Sequence, residues 1–347
     1  MKKIFITILY MTAALALSGC AKAVKVGPND ANARFLEAWM EVHYPEVQPT
    51  ELGVYIIEDS EGTGVTVEDG GYAIVDYRIM DLEGNISSFT SKETAKQLGK
   101  YDTTYYYGSK VWTTAEATIQ AGLAEALIGM KAGGSRKVVI PSWLMTYKRY
   151  DSPEDYINPP KTKKDKEVSS TGFSNTVYEI TVNDFVEDID AWEINNIGEY
   201  FAANPNLGLS VQDSLQYGFY YKQLKAPTDT QDFKKDTTIY INYTGRLLNG
   251  LVFDTTDRKT GLDNGLSPSK SYKPVAVKLS EEAKDITMGG SSIIEGFALT
   301  LKQMHAFEKG VGIFYSPLGY KYSGSGSNIP GYAPLIFEIE IVEKPEE

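Results

Sequence analysis

Two periods of hydrophobicity run through this chain. Near its end, Leu335, Phe337, Ile339 and Ile341 take every second position, with Glu338 and Glu340 between them. That alternation predicts a strand with one face in a core. Val177-Tyr178-Glu179-Ile180-Thr181-Val182 predicts another. Ile293, Ile294, Phe297, Leu301 and Met304 recur instead at three- and four-residue steps, the stripe of a short amphipathic helix. From Ile241 the pattern alternates to Leu247, turns at Asn249-Gly250 and returns through Leu251, Val252 and Phe253. Asn-Gly between β-rich runs predicts a hairpin whose two turn residues both take positive φ. An apolar sheet face has to be covered, and the helical stripe is the available cover. The fold class expected is α+β, with a mainly antiparallel sheet wrapped around a short helix.

The pattern occurs twice. Ala38-Trp39-Met40-Glu41 recurs as Ala191-Trp192-Glu193-Ile194, and Leu52 to Ile57 as Tyr217 to Lys222. Val75-Asp76-Tyr77 recurs as Ile241-Asn242-Tyr243, and Gly122 to Met130 as Gly296 to Met304. With 347 residues the chain has room for two domains of roughly 100–200 residues each. The organisation expected is a leader over 1–19, an anchor segment and first helix over 20–50, a first copy over 51–186, a linking helix over 187–212 and a second copy over 213–347. Arg34 to Val42 and Ala191 to Ala203 are the expected linking helices, the latter capped by Asp190 and stopped by Asn204-Pro205, and both are read as packing braces.

Lys2 and Lys3, an apolar run from Ile4 to Leu17 and then Ser18-Gly19-Cys20 form a secretory leader too short to span a membrane comfortably. Its end resembles the bacterial lipobox, at which Cys20 is acylated; the alternative is an ordinary cleaved leader with an incidental cysteine. The location expected is the cell envelope, lipid-anchored through Cys20, in an outer membrane facing the periplasm or the surface. Cys20 is the only cysteine, which excludes an intramolecular disulfide and thiol chemistry elsewhere. A formal net charge of -12 and the lack of a basic patch argue against nucleic acid. His43 and His305 stand in no metal-ligand spacing, and no metal or cofactor is expected.

From about Phe219 to Glu343 the chain resembles the FKBP-type peptidyl-prolyl cis-trans isomerases. The resemblance rests on Tyr243-Thr244-Gly245, Asn249-Gly250, Phe253-Asp254, Pro274-Val275, Ile293-Ile294-Glu295-Gly296-Phe297, Met304, Leu318-Gly319-Tyr320-Lys321, Ile329-Pro330-Gly331 and Leu335-Ile336-Phe337. It implies two FKBP-like domains and an apolar pocket for the prolyl ring formed by Tyr243, Phe253, Ile294, Phe297 and Phe337. Val275, Ile293 and Ile329 would add substrate contacts. The Ile294 N–H and the Tyr320 hydroxyl would bind substrate carbonyls, and Asp254 would organise the pocket edge. Implied partners are proline-containing exported polypeptides and rapamycin-type ligands. Rotation about X-Pro is slow because its barrier is about 18–20 kcal/mol. A dry pocket that favours the twisted amide lowers that barrier without a nucleophile or a metal.

Val275 stands where the family has an aromatic, which removes one wall. Lys321 and Phe307 replace glycines, so both loops are expected to be set differently. Insertions over 259–272 and 280–291 read as flexible loop without chemistry. In the first copy Ser87-Ser88 stand in place of Phe-Asp, Gln120 in place of the pocket Ile, Leu123 in place of the Trp and Thr146 in place of the loop Tyr. That copy is expected to keep the fold without activity, unless Phe89 and Tyr147 shift into register. A polar insertion follows over 148–175, and Tyr105-Tyr106-Tyr107 is read as a strand rather than an exposed surface. The competing readings are a non-enzymatic chaperone or scaffold lipoprotein and, third, a surface glycan binder.

Overall fold

A computed structural model of the chain describes residues 29–160 and 174–346. The leader with Cys20 and the middle of the insertion at 148–175 lie outside the described residues.

Helix α1 (Asp30–His43) precedes a sheet built from β1 (Tyr55–Ser60), β2 (Tyr72–Met80), β3 (Ile86–Phe89), β4 (Lys110–Thr113), β5 (Ser135–Ile140) and β6 (Thr176–Val186). The order is β1-β5-β6-β2-β3, with β4 also on β2, and every pairing is antiparallel. Short helices α2 (Lys92–Gln97), α3 (Ala121–Leu127) and α4 (Pro153–Ile157) lie between the strands. Leu123 and Leu127 of α3 pack against Val75, Val138, Ile140, Ile180 and Val182 on one sheet face. Leu36 and Met40 of α1 pack with Met80, Val139 and Val177 on the other.

Helix α5 (Ile189–Ala203) begins the second unit, followed by β7 (Phe219–Lys225), β8 (Thr238–Leu247), β9 (Val252–Thr255), α6 (Arg258–Asp263), β10 (Val275–Lys278), β11 (Thr287–Met288), β12 (Ser291–Ser292), α7 (Glu295–Lys302), β13 (Lys309–Phe314) and β14 (Leu335–Val342). Its sheet runs β12-β11-β10-β8-β14-β13-β7, with β9 also on β8. Reading β7, β13, β14 and β8 for β1, β5, β6 and β2 reproduces the first sheet, so the repeat in sequence is a repeat of topology. Phe297 and Leu301 of α7 enter the inner core with Ile241, Ile339 and Ile341. Ile197 and Phe201 of α5 cover Tyr220, Val311, Ile313 and Ile336 on the outer face. A Cβ on Gly296 would lie 2.3 Å from the ring of Phe314, so α7 can press against β13 only where that residue is glycine.

Several local expectations are corrected. The Asn249-Gly250 turn has positive φ at Gly250 alone, 88°. Gly250 donates its N–H to Leu247 O at 2.9 Å, while the Asn249 side chain accepts from Leu251 N–H at 3.0 Å, which closes a longer loop than a two-residue turn. Helix α5 starts at Ile189 and is capped by Asp188, which accepts from Ala191 N–H at 3.0 Å; Asp190 sits inside the first turn. Tyr105-Tyr106-Tyr107 forms no strand, because Asp102 accepts from both the N–H and the hydroxyl of Thr104 and bends the chain ahead of it. The segment at 259–272 contains α6, with Asp257 accepting from Thr260 N–H at 2.7 Å, and the one at 280–291 contains the β11–β12 hairpin.

Lys321 and Phe307 do not reset their loops. Both hold the left-handed backbone that a glycine would, with φ of 55° and 59°. This conformation crowds Cβ against the following carbonyl and costs roughly 1–2 kcal/mol in a non-glycine residue. Lys321 is exposed, so little packing offsets that cost. Lys321→Gly should therefore raise stability by about 1 kcal/mol, read as a higher urea midpoint with an unchanged slope.

Candidate functional site

The aromatic residues of the second unit converge because β8, β9, β14 and α7 all direct side chains to the inner face. Phe337 is their meeting point. Its ring lies 4.9 Å from Phe297, 5.5 Å from Phe253 and 6.2 Å from Tyr243, and stacks 5.9 Å from Phe314. Tyr243 and Phe297 meet edge to face at 5.5 Å. Most of these contacts are edge-to-face or tilted, the arrangement that ring quadrupoles favour. Gly245 makes room for them, since a Cβ there would lie 2.5 Å from Phe253 and 2.8 Å from Phe337.

Val275, Ile293, Ile294 and Tyr320 are half-buried around this cluster, and Ile329 is buried within it. Ile294 is the N-cap residue of α7. Asp254 stands at the edge and accepts from the Tyr243 hydroxyl at 2.5 Å. The sequence-derived candidates are thus gathered at one place, with Asp254 as the polar handle. Burial, and next to it repulsion from Tyr320 once that group ionises, push the Tyr243 hydroxyl above its usual range, and burial does the same for Tyr320. Both are neutral hydrogen-bond donors at physiological pH. Among the described residues, no group of three or more His, Cys, Asp or Glu could hold a metal ion.

Three neighbours escaped the sequence reading. Lys270, from the segment after α6, forms an ion pair with Asp254. Tyr106 of the first unit packs against the second unit's core and donates its N–H to Ser327 O at 2.9 Å. Ser327 lies on the loop that carries Tyr320 and Ile329. Glu193 of α5 accepts from both the N–H and the hydroxyl of Ser316, just before that loop. Local pattern gave no signal for the first two, because each partner is distant in the chain. Glu193 had one, since the loose sequence match sets it against the apolar Met40, although the structure puts Asn32, beside Ser142, at its place.

The first unit lacks the ring cluster. Strand β2 pairs Arg78 with Phe89 and Ile79 with Ser88, as β8 pairs Thr244 with Thr255 and Gly245 with Asp254. Phe89 therefore occupies the register of Thr255, and Ser87-Ser88 that of Phe253-Asp254. Ile79 replaces Gly245, and Tyr178 replaces Phe337 opposite it. Gln120, the cap of α3, donates to the Tyr147 hydroxyl at 3.1 Å, and Tyr147 itself is 56% exposed.

A sequence model of the FKBP-type peptidyl-prolyl cis-trans isomerase family matches residues 229–342. FK506-binding protein 2 of Dictyostelium discoideum is 30% identical over 135 residues, which cover 39% of this chain and 84% of that protein. FK506-binding protein 1A of Aspergillus fumigatus is 32% identical over 123 residues, 35% of this chain and 90% of that protein. The human peptidyl-prolyl cis-trans isomerase FKBP9 is 24% identical over 319 residues, 91% of this chain and 42% of that protein. The chain thus spans less than half of the human relative's length.

The Lys270–Asp254 pair is about one-third exposed on each side, 31% and 38%, so solvent screens it. A double-mutant cycle with Lys270→Ala and Asp254→Ala should give a coupling of about 0.2–1 kcal/mol, measured by denaturant unfolding and shrinking at high salt.

Proposed function

The chain belongs to the FKBP-type peptidyl-prolyl cis-trans isomerase family, and from that premise we propose that its second domain catalyses X-Pro isomerisation in exported polypeptides while its first domain is a non-catalytic partner. The observation that carries this reading is the ring cluster on Phe337, open at one edge to Asp254 and Tyr320 and absent from the first domain.

In this reading the prolyl ring enters between Tyr243, Phe253, Ile294, Phe297 and Phe337, with Val275, Ile293 and Ile329 along its flanks. The reaction breaks no covalent bond and moves no proton, so the residues need only favour the twisted amide over the planar one. Loss of conjugation makes the twisted amide less polar than the planar form, and a dry apolar hollow selects for that change. The Ile294 N–H and the neutral Tyr320 hydroxyl hold substrate carbonyls, which fixes the flanking peptide while the bond turns. Asp254, held by Tyr243 and Lys270, keeps the Tyr243 ring in place rather than acting as a base. The same hollow would take rapamycin-type ligands. Acylation at Cys20 would hold the protein in the outer membrane, where newly exported chains are its substrates.

Exchange spectroscopy by NMR on an X-Pro peptide tests this directly. The intact protein should accelerate exchange, and Phe253→Ala and Tyr243→Ala should each lower kcat/KM by about 10- to 100-fold. Gln120→Ala in the first domain should leave it unchanged. No acceleration by the intact protein sinks the enzymatic reading and favours a non-enzymatic chaperone or scaffold.

A further inference from the structure

Glu193 lies outside the segment that matches the family model, yet it reaches the site. Its side chain, on helix α5, is fully buried at 0% exposure. One carboxylate oxygen accepts from the Ser316 N–H at 2.6 Å and the other from the Ser316 hydroxyl at 2.6 Å. Ser316 opens a tight turn in which Leu318 N–H bonds to Tyr315 O at 3.2 Å and Gly319 N–H to Ser316 O at 2.8 Å. Tyr320 follows directly. A clamp on Ser316 is therefore felt at the hydroxyl that faces the pocket.

We propose that Glu193 is a positioning residue for the prolyl pocket, holding the Ser316–Tyr320 loop from the connecting helix. This rests on the second domain being the isomerase. The comparison between copies argues for a role beyond packing. In the first domain, which lacks the ring cluster, the helix residue beside the equivalent serine is the neutral Asn32, while Leu36 and Met40 pack on Val139 and Val177 as Ile197 and Phe201 do on Ile313 and Ile336. There Ser142 is held by neutral amides instead: its N–H donates to Asn175 at 3.0 Å and its hydroxyl accepts from Asn32 at 3.4 Å. Glu193 grips both Ser316 groups at 2.6 Å, against 3.0 and 3.4 Å for the amide contacts of Ser142, and so fixes its serine more tightly.

The arrangement has an electrostatic cost. Burial pushes the Glu193 carboxyl up to about 7, against the two bonds from Ser316 that lower it, and Asp190 on the same helix adds to the rise. Tyr315 and Tyr332 also face it, and neither brings a positive charge. Because the folded value exceeds the ordinary 4.5, the stability linked to this proton is complete below 4.5 and is lost as pH rises through about 7. Glu193→Gln removes that loss.

The test uses the full chain with Glu193→Ala, Glu193→Gln and Ser316→Ala. Glu193→Ala should raise KM about tenfold with kcat within about twofold, since it loosens a group that binds ground state and transition state alike. Glu193→Gln keeps an acceptor for the Ser316 N–H and should recover most of that loss, while Ser316→Ala should cost about threefold. Amide hydrogen exchange should quicken over 316–320 in Glu193→Ala, while the α7 and β14 amides stay protected. The melting temperature of Glu193→Gln should gain on the wild type between pH 5.5 and pH 8. A folded Glu193→Ala protein with wild-type KM, unchanged exchange over 316–320, or a Glu193→Gln melting curve that tracks the wild type at both pH values would each overturn the proposal. An inactive wild-type protein overturns it together with the isomerase reading, whereas an active wild type with indifferent variants overturns it alone.

Discussion

The second domain depends on one ring being approached from four sides. Phe337 sits on β14 opposite Gly245, and the missing side chain of that glycine gives its ring and that of Phe253 room to meet. Phe297 reaches the same ring from α7, Tyr243 from β8 and Phe314 from β13. Protein interiors are packed to near-crystalline density, so a hollow persists only where surrounding groups are too rigid to collapse into it. Interlocked aromatic rings meet that condition. Phe297 and Phe337 are buried at 3% and 5% exposure, while Tyr243 and Phe253 at 9% mark the edge of the core.

The sheet imposes a second constraint. Phe337 and Ile336 are neighbours on β14 that point to opposite faces, and both are buried. Each sheet therefore needs a helix on either side, α7 within and α5 without. The connecting helix is thus a layer of the second domain. It lies one strand's thickness from the pocket, close enough for Glu193 to hold the loop that leads to Tyr320.

The fold was legible from the sequence because it is written in local periodicity, and the ring cluster followed from the family resemblance. Alternation along β14, the stripe along α7 and the repeat of the whole pattern required no knowledge of distant partners. What stayed hidden depended on pairs far apart in the chain. Lys270 reads as part of a polar insertion until Asp254 is placed beside it. Tyr106 reads as one of three strand-like aromatics until Asp102 bends the backbone and Ser327 takes its N–H. The Asp188 cap was misassigned by two residues because Asp188 and Asp190 are chemically equivalent, and only backbone geometry separates them. Lys321 and Phe307 mislead in another way. Their side chains argue against a left-handed backbone, but the surrounding structure holds it regardless.

The first domain shows the same architecture without the ring cluster. Ile79 stands where Gly245 makes room for the Phe253 and Phe337 rings, and Gln120 at the cap of α3 donates to the Tyr147 hydroxyl. Neither change disturbs the strand order, because the sheet and its two helices are held by other side chains. The first domain also supports its neighbour. The Tyr106 N–H donates to Ser327, and the Tyr72 ring meets Tyr332 edge to face at 5.5 Å. Both contacts fall on the one long loop of the second domain that also carries Tyr320 and Ile329. With Glu193 on the near side of that loop and the first domain on its far side, the most mobile type of element in such a fold is tied down from outside the matched segment at three points. Loop entropy is what a substrate would otherwise have to remove on binding, and these ties remove it in advance.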